Sequence, residues 1–210
     1  VYKVVKKGWV SSSGEEIINF EKKFAKLLGR KFAATVSNGT AALEIALKIL
    51  NLKHNSEVII PTFNIISAAL AVVKNNLKPV LVDSCLVSWN MCLKDFEKKI
   101  TKKTKAVIVV HMLGVPAKLD KIKSICDKKN IALIEDTAWG CGGKYKKKYL
   151  GTWGRIGTFS FDHVKAITTG EGGMVVFKNK NDFEKASAWH DHGHENNPKV
   201  PRWEDTRKGS

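Results

Sequence analysis

A strand–helix–strand pattern runs through residues 106–136, which read AVIVVHMLGVPAKLDKIKSICDKKNIALIED. Residues 106–112 are apolar and β-branched with little interruption, residues 119–128 space their apolar side chains as a helix does, and residues 131–135 are a second apolar run. Strands that are apolar on both faces and joined by a helix are typical of parallel sheets covered by helices on both sides. This stretch therefore predicts an α/β fold.

The same alternation continues on both sides of this stretch. The predicted helices are 15–28, 40–50, 66–74 and 93–100, and the predicted strands are 31–36, 57–60 and 78–82. After Tyr149 the pattern changes to two short strands, 158–161 and 174–177, which we expect to leave the parallel register. With 210 residues, the chain is expected to form one domain around a mostly parallel sheet with helices on both faces.

Four residues fall at or near the predicted carboxyl ends of strands, namely Pro61, Asp83, His111 and Asp136. Ligands of open α/β sheets bind beyond that edge of the sheet. The sequence therefore predicts that a site lies there.

The net charge of +16 raises the question of a nucleic-acid partner. Only four of the 36 basic residues are arginine, and the lysines are spread along helices and turns rather than gathered in one arm. Arginine is the residue expected where bidentate contacts to phosphates or bases matter. We therefore interpret the lysines as solvated helix faces and expect no nucleic-acid partner.

The cellular compartment is inferred from what the chain lacks. No apolar run reaches the roughly 18 to 20 residues that a membrane span needs, and the first residues form no signal-peptide core. The four cysteines, Cys85, Cys92, Cys126 and Cys141, form no CxxC pair. We therefore expect a soluble cytoplasmic protein in a reducing compartment, with no membrane partner and no structural metal.

Three pieces of sequence together suggest a cofactor. Residues 159–173, FSFDHVKAITTGEGG, contain Lys165; Asp136 ends an apolar strand; and Asn38-Gly39-Thr40-Ala41 opens a helix. An amine for a Schiff base, a carboxylate for a ring nitrogen and backbone donors for a phosphate are what pyridoxal phosphate requires.

Each piece also has an ordinary structural explanation. Asn38–Thr40 fits a simple helix cap, Asp136 fits a turn residue, the glycines at 170, 172 and 173 fit a tight hairpin, and Lys165 alone fits a surface lysine. These explanations leave the common order and spacing of the pieces unexplained.

From residue 8 onward the chain resembles the DegT/StrS family of sugar aminotransferases, which are pyridoxal-phosphate enzymes of the aspartate-aminotransferase fold. The matching stretches are GWVSSSG (8–14), SNGTAAL (37–43), VIIPTF (58–63), KPVLVD (78–83), HMLGVP (111–116), IEDTA (134–138) and residues 159–173. They occur in the family's order and cover nearly the whole chain.

The resemblance implies a role for each matched residue. Lys165 would form the Schiff base with pyridoxal phosphate and act as the proton shuttle, and Asp136 would keep the pyridine nitrogen protonated. Ser160 would bind the phosphate together with Thr40 and Ala41. Sugar dehydratases of this fold carry histidine at the Schiff-base position, so the lysine favours amino transfer.

Three positions depart from the family pattern. Ile65 stands where many members stack an aromatic ring on the cofactor, so an aliphatic surface is expected there instead. Trp139 stands where glutamine, histidine or glutamate is usual; its indole N–H donates a hydrogen bond but accepts none. Arg155 occupies a position where an acidic residue is frequent.

The resemblance also implies a reaction and an assembly. Family members move an amino group from L-glutamate to a keto group of a nucleotide-linked deoxysugar, for surface polysaccharides or glycoconjugates, and are homodimers with shared active sites. We expect residues 1–210 to be the cofactor-binding large domain and a small C-terminal domain to be missing after the segment around Asp205–Arg207. A non-catalytic relative that serves as a binding subunit is the alternative to an enzyme.

The stretch His190–His194 is interpreted as a polar loop near the site rather than a metal site.

Overall fold

The computed structural model describes residues 1–8 and 14–190. Its helices are α1 (Tyr2–Lys6), α2 (Glu15–Leu27), α3 (Gly39–Lys48), α4 (Ser67–Lys74), α5 (Leu93–Lys99), α6 (Leu119–Lys129) and α7 (Lys180–His190). Its strands are β1 (Phe32–Val36), β2 (Glu57–Pro61), β3 (Lys78–Val82), β4 (Thr104–Val110), β5 (Ala132–Asp136), β6 (Lys144–Tyr145), β7 (Lys148–Tyr149), β8 (Ile156–Ser160) and β9 (Gly173–Phe177). Residues 9–13 of the matched segment 8–14, residues 191–194 of the histidine stretch and Asp205–Arg207 lie outside the described residues.

Seven strands form one sheet in the order β1-β9-β8-β5-β4-β2-β3. The neighbours β3, β2, β4, β5 and β8 pair in parallel, and β9 runs antiparallel to both β8 and β1. The predicted α/β fold with a mostly parallel sheet is therefore confirmed. The carboxyl ends of the parallel strands meet at one edge, as the positions of Pro61 and Asp136 predicted.

Alternate residues of each central strand pack against different helices. In β4, Ala106, Ile108 and Val110 join the core cluster that includes residues of α3, α4 and α7. Val107 and Val109 join the cluster that includes residues of α5 and α6. Because successive strand residues face opposite sides, an unbroken apolar run is what a sheet buried on both faces requires.

Helix α2 covers the same face as α5 and α6 at the other end of the sheet. Its Phe24 ring contacts Phe159 and Phe161 edge-on, with centroid distances of 5.0 and 5.5 Å. These rings are buried and hold the start of the Lys165-bearing segment against the sheet. The aromatic residues that flank the site are therefore part of the core.

The structure corrects two predicted strand assignments. Strand β8 does not leave the parallel register, because it pairs in parallel with β5 and only β9 reverses direction. The strand predicted at 106–112 ends at Val110, and Met112–Gly114 forms a 3-10 turn in which Leu113 has a positive φ of 50°. This turn moves the chain away from the sheet edge immediately after His111.

Arg155 lies at the opposite edge of the sheet from the predicted site, just before β8. Its guanidinium donates two hydrogen bonds of 2.7 Å to the carboxylate of Asp182 on α7, which is fully buried. This bond with the carboxylate raises the pKa of Arg155. The departure from the family pattern at this position is thus explained by an ion pair that fixes α7 to the sheet.

Helix α2 has 13 residues and α6 has 11, so even these helices are short. Within residues 1–8 and 14–190, no helix combines the length and the apolar character that crossing a membrane requires.

Candidate active site

A cleft of about 410 Å³ opens at the carboxyl edge of the parallel strands. Four chain segments form its walls: the start of α3, the loop between β2 and α4, the turn after β5 and the segment after β8. Its lining includes Thr40, Ile65, Asp136, Trp139, Ser160 and Lys165. Its volume falls within the roughly 300 to 1,000 Å³ that small-molecule sites occupy.

The N-terminus of α3 approaches the end of β8 closely. Asn38 caps the helix, since its Oδ1 accepts a hydrogen bond of 2.8 Å from the backbone N–H of Ala41. A Cβ atom placed on Gly39 would lie 2.9 Å from the Cβ of Ser160, so only glycine fits this position without displacing a neighbour. An α-helix leaves its first backbone N–H groups without helical partners, and these concentrate positive potential beside the Ser160 hydroxyl.

Two hydroxyl groups extend this polar wall. The Thr40 hydroxyl donates a hydrogen bond of 2.9 Å to Ser67 Oγ at the start of α4. Ser160 is buried, and its Oγ accepts a 3.4 Å hydrogen bond from the backbone N–H of Asp162. The wall therefore offers hydroxyl groups together with helix N–H groups, a combination suited to a phosphate.

The Lys165 amine lies over an aromatic ring. Its Nζ is 3.7 Å from the centroid of the Trp139 ring, which belongs to the turn after β5. A cation above an indole face is attracted by the negative potential of the ring. The half-buried Lys165 side chain is therefore held inside the cleft instead of extending into solvent.

Asp136 supplies a buried carboxylate on the floor of the cleft. It ends β5 and is 8% exposed, and its Oδ1 accepts a 3.1 Å hydrogen bond from the backbone N–H of Ala138. Burial raises the pKa of the Asp136 carboxyl, and the Ala138 N–H, His111 and Lys165 partly oppose that effect. A carboxylate at such a site is stabilised further by any cationic group that a ligand brings next to it.

The rim of the cleft carries charges of both signs. One carboxylate oxygen of Asp162, one of Glu171 and a ring nitrogen of His163 all lie within 4.8 Å of one another. His163 Nδ1 is 3.3 Å from Asp162 Oδ2. The backbone N–H of Val164 lowers the pKa of Asp162, with His163 and Lys165 adding to the effect. His163 and Glu171 are exposed and Asp162 is half-buried, so the rim is a polar entrance.

The structure thus gathers six of the seven predicted site residues along one cleft. Ala41, the seventh, borders a neighbouring groove, and its N–H is taken by the Asn38 cap. Sequence reasoning did not identify Asn64 and Ser67, which also line the cleft. Both follow the carboxyl end of β2, so the strand-end rule that singled out Pro61 would have found them.

The arrangement fits pyridoxal phosphate. The cleft joins an amine at Lys165, a buried carboxylate at Asp136 and a polar wall at Thr40 and Ser160. Gly39 lies so close to Ser160 that no larger residue would fit at the end of the polar wall that is suited to a phosphate. The donor set therefore matches the three chemical groups of that cofactor.

Comparison with known proteins gives a consistent result. The model of the DegT/DnrJ/EryC1/StrS aminotransferase family matches residues 1–209. The chain is 45% identical over 177 residues to GDP-perosamine synthase of Escherichia coli O157:H7, which covers 84% of this chain and 49% of that protein. It is 36% identical over 169 residues to 3-amino-5-hydroxybenzoate synthase of Amycolatopsis mediterranei, covering 80% of this chain and 44% of that protein. The chain thus spans about half the length of the curated relatives it matches.

Solved structures agree with the sequence relatives. An aminotransferase from Psychrobacter cryohalolentis superposes with a TM-score of 0.90 at 34% identity, covering 93% of this chain and 50% of that one. The E. coli GDP-4-keto-6-deoxy-D-mannose-3-dehydratase, solved with bound hydrated PLP, superposes with a TM-score of 0.88 at 28% identity, covering 92% and 51%. The fold is therefore found in both aminotransferases and a sugar dehydratase.

Proposed function

The chain belongs to the DegT/DnrJ/EryC1/StrS aminotransferase family, and we propose that it forms the cofactor-binding large domain of a pyridoxal-phosphate-dependent sugar aminotransferase. The amino donor is L-glutamate and the acceptor is a keto group of a nucleotide-linked deoxysugar. The product serves surface polysaccharide or glycoconjugate biosynthesis. Similarity to GDP-perosamine synthase supports the sugar class of the acceptor.

The observation that carries this proposal is the meeting of Lys165, Asp136 and Ser160 in one cleft. These residues come from the segment after β8, the end of β5 and the end of β8, so the sheet itself brings them together. The amine, the carboxylate and the polar wall match the aldehyde, the ring nitrogen and the phosphate of the cofactor.

Four residues of the cleft have distinct tasks in the proposed reaction. Lys165 would hold the cofactor through Nζ, and its amine is the group of the cleft that could take up and return a proton. Asp136 would hold the ring nitrogen in its protonated form and balance its charge. Thr40 and Ser160, with the N-terminus of α3, would bind the phosphate. Bound pyridoxal phosphate supplies the electron sink that makes such proton removal feasible.

Two further side chains border the cofactor in this proposal. Ile65 is half-exposed at the cleft wall and gives an aliphatic surface for one side of a planar ring. Trp139 offers an indole N–H and an aromatic face from the turn after β5. The indole N–H is a donor only, so any contact it makes with the ring must be to an acceptor oxygen.

Amino transfer is favoured over sugar dehydration by the lysine itself. Lys165 supplies the cleft with an amine that would hold the cofactor covalently, which a histidine at this position would not do. A dehydratase of this fold is the second candidate, because one of the similar structures is a GDP-4-keto-6-deoxy-D-mannose-3-dehydratase. The lysine argues against that candidate.

We further propose that the enzyme is a homodimer with shared active sites. Helix α4 starts beside the cleft residues Asn64 and Ile65, and its outward face exposes Leu70 and Val73 at 43% and 56%. The preceding Ile66 is 65% exposed. A row of exposed apolar side chains at the mouth of a site is typical of a surface covered by a partner.

The cytoplasm is the compartment that suits this function. Cys85, Cys92, Cys126 and Cys141 are all free thiols. Free thiols persist in reducing compartments. The proposed location rests on this observation and on the expected use of cytoplasmic nucleotide sugars.

A two-stage assay tests the proposed function. The chain loaded with pyridoxal phosphate is first given L-glutamate alone, and we expect one equivalent of 2-oxoglutarate per site. Addition of GDP-4-keto-6-deoxymannose should then yield an amino sugar detected by mass spectrometry. Lys165→Ala should abolish both stages. Loss of a sugar hydroxyl without transfer of nitrogen would instead assign a dehydratase. Because the chain spans about half the length of its relatives, absence of both products would favour a non-catalytic binding subunit only when the chain is assayed within its full-length protein.

A further inference from the structure

Glu135 and Asp136 are consecutive acidic residues that point to opposite sides of β5. Successive strand residues alternate in direction, so when Asp136 lines the cleft, Glu135 points away from it. Glu135 is fully buried, with no exposed surface. Two carboxylates at one strand end thus have separate environments, and only one of them belongs to the site described above.

Three hydrogen-bonding groups surround the Glu135 carboxylate. The backbone N–H of Gly151 lies 2.9 Å from Oε2, and that of Gly154 lies 2.6 Å from Oε1. The third group is His111 Nε2, 3.3 Å from Oε2. Among residues 1–8 and 14–190, no lysine or arginine forms an ion pair with Glu135. The charges of Arg30 and Lys148 act on Glu135 only from beyond ion-pair distance, so the carboxylate depends mainly on its three hydrogen bonds.

His111 connects this carboxylate to the cleft. Its Nδ1 accepts a 3.3 Å hydrogen bond from the backbone N–H of Ala117, so the ring proton is carried by Nε2 and points to Glu135. The backbone N–H of His111 donates a 3.2 Å hydrogen bond to the carbonyl oxygen of Asp136. His111 is fully buried, and two of these hydrogen bonds connect it to both Glu135 and Asp136 at the end of β5.

We propose that His111 and Glu135 form a buried positioning pair that holds the end of β5, and with it the Asp136 carboxylate, in the orientation that the cofactor needs. This inference rests on the proposed function. Neither side chain touches the cleft, so their effect passes through the backbone of residues 135 and 136 and through the turn that carries Trp139.

The pair is more than a packing contact because each member satisfies groups on a different element. Glu135 anchors the loop before β8 through Gly151 and Gly154, and His111 joins the end of β4 to β5. Removing the imidazole donor leaves a buried carboxylate one hydrogen bond short, which is costly in a low-dielectric interior. The strand end is then expected to relax, and Asp136 with it.

Two substitutions of His111 separate positioning from packing. In His111→Gln the side-chain amide can replace Nε2 as the donor to Glu135, whereas in His111→Asn the carbonyl replaces Nδ1 as the acceptor for Ala117 and the donor is lost. The measurement is amide hydrogen exchange by NMR on the ligand-free chain. The Ala138 N–H reports on Asp136, because it donates to Asp136 Oδ1. The Val58 N–H in β2, a buried strand that does not pair with β5, serves as the internal control.

We expect His111→Asn to speed exchange at Ala138 by about tenfold or more while exchange at Val58 is unchanged. In His111→Gln the exchange rate at Ala138 should stay near that of the wild type. The affinity for pyridoxal phosphate should fall by a similar factor in His111→Asn only. If His111→Asn does not fold, Glu135→Gln, which keeps the side-chain volume, is expected to give the same result. Unchanged exchange at Ala138 with faster exchange at Gly151 and Gly154 would overturn the inference, because the pair would then anchor only the loop.

The exchange experiment uses no cofactor, so its result is independent of the proposed function. Failure of the wild-type chain to bind pyridoxal phosphate would contradict the proposed function and leave the exchange pattern as it is. Faster exchange at Ala138 without any change in cofactor affinity would contradict the positioning role itself.

Discussion

The Nζ atom of Lys165 lies 3.7 Å from the centroid of the Trp139 ring, although the two residues are 26 positions apart in the chain. The turn after β5 carries Trp139, and the segment after β8 carries Lys165. The pairing of β5 with β8 brings these segments together. Trp139 therefore defines where the Lys165 amine rests in the ligand-free cleft, at a position where the family resemblance had indicated only a departure from the usual pattern.

Substitution of Trp139 tests this contact. A cation over an indole ring is worth about 0.5 to 1 kcal/mol when exposed and about 2 when desolvated. In the proposed site Trp139 also borders the cofactor, so Trp139→Leu removes an aromatic face and an N–H donor from the bound state. We expect pyridoxal phosphate binding to weaken by about three- to tenfold. Trp139→Phe keeps an aromatic face and should lose less. Titration by cofactor absorbance measures both, and equal affinities in all three proteins would mean that the ring has no positioning role.

Substitution of Asp136 should separate stability from function. Its pKa is raised by burial, so the folded state holds the proton more tightly than the unfolded state and ionisation above that pKa costs folding free energy. Asp136→Asn removes this cost and keeps an acceptor for the Ala138 N–H. We expect a higher melting temperature at pH 7 and loss of productive cofactor binding.

Because the pKa of Asp136 is raised, the stability difference between Asp136→Asn and the wild type should depend on pH. The stability gain of Asp136→Asn should be complete above the raised pKa and should disappear as the pH falls below about 3.9, the ordinary value for aspartate. Thermal melts of both ligand-free proteins between pH 3 and 8 measure this difference. A mutant that is less stable than wild type at pH 7 would show that the ionised carboxylate is stabilising in the native state.

Substitution of Gly39 tests whether the polar wall at the start of α3 binds the cofactor phosphate. A methyl group at this position would lie 2.9 Å from the Cβ of Ser160, so Gly39→Ala must push Ser160 or the start of α3 aside. We expect at least about tenfold weaker binding of pyridoxal phosphate, while pyridoxal, which lacks the phosphate, should be affected less. If both ligands lose affinity equally, the clash disturbs the whole cleft and does not act on the phosphate wall alone.

The Arg155–Asp182 ion pair predicts a stability effect remote from the cleft. Arg155→Ala leaves the buried Asp182 carboxylate without its cation and should cost roughly 2 to 3 kcal/mol of unfolding free energy, since Arg155 itself is partly exposed. Arg155→Lys keeps the charge but loses the two parallel hydrogen bonds, so the loss should be smaller. Urea unfolding measures both. A loss below about 0.5 kcal/mol in Arg155→Ala would place the pair among weak surface bridges.

The exposed face of α4 predicts the assembly. Leu70→Glu introduces a charge into the row formed with Ile66 and Val73, and we expect it to convert a dimer into a monomer. Val5→Glu, on the exposed helix α1, is the control and should leave the dimer intact. Sedimentation equilibrium measures the mass. A dimer that persists in Leu70→Glu would exclude this face as the interface.

The order of helices and strands was predictable because each central strand is a continuous apolar run. Strands β3, β4 and β5 were found to within two residues. The β6–β7 hairpin was missed because its turn residues Lys146 and Lys147 have positive φ angles without the usual asparagine or glycine. The direction of β8 was misjudged because strand pairing depends on distant residues, which local patterns do not encode.

The candidate site was partly predictable for a related reason. Asp136 stands at a strand end and Lys165 stands beside a glycine-rich run, which are local signals, whereas Ser160 was implied only by the family resemblance. The hydrogen bond between Thr40 and Ser67 and the contact of Glu135 with His111 join residues 24 to 27 positions apart. Such contacts depend on tertiary packing, so the sequence alone gave no sign of them.

The proposed function requires that Lys165 is the residue that carries pyridoxal phosphate. The most direct measurement is to incubate the purified chain with pyridoxal phosphate, reduce with borohydride and locate the adduct by peptide mass spectrometry, with Lys165→Ala as the control. We predict a single major adduct on the peptide that contains Lys165 and none there in the control. Adducts distributed over many of the chain's lysines, or a major adduct at another lysine, would contradict the claim.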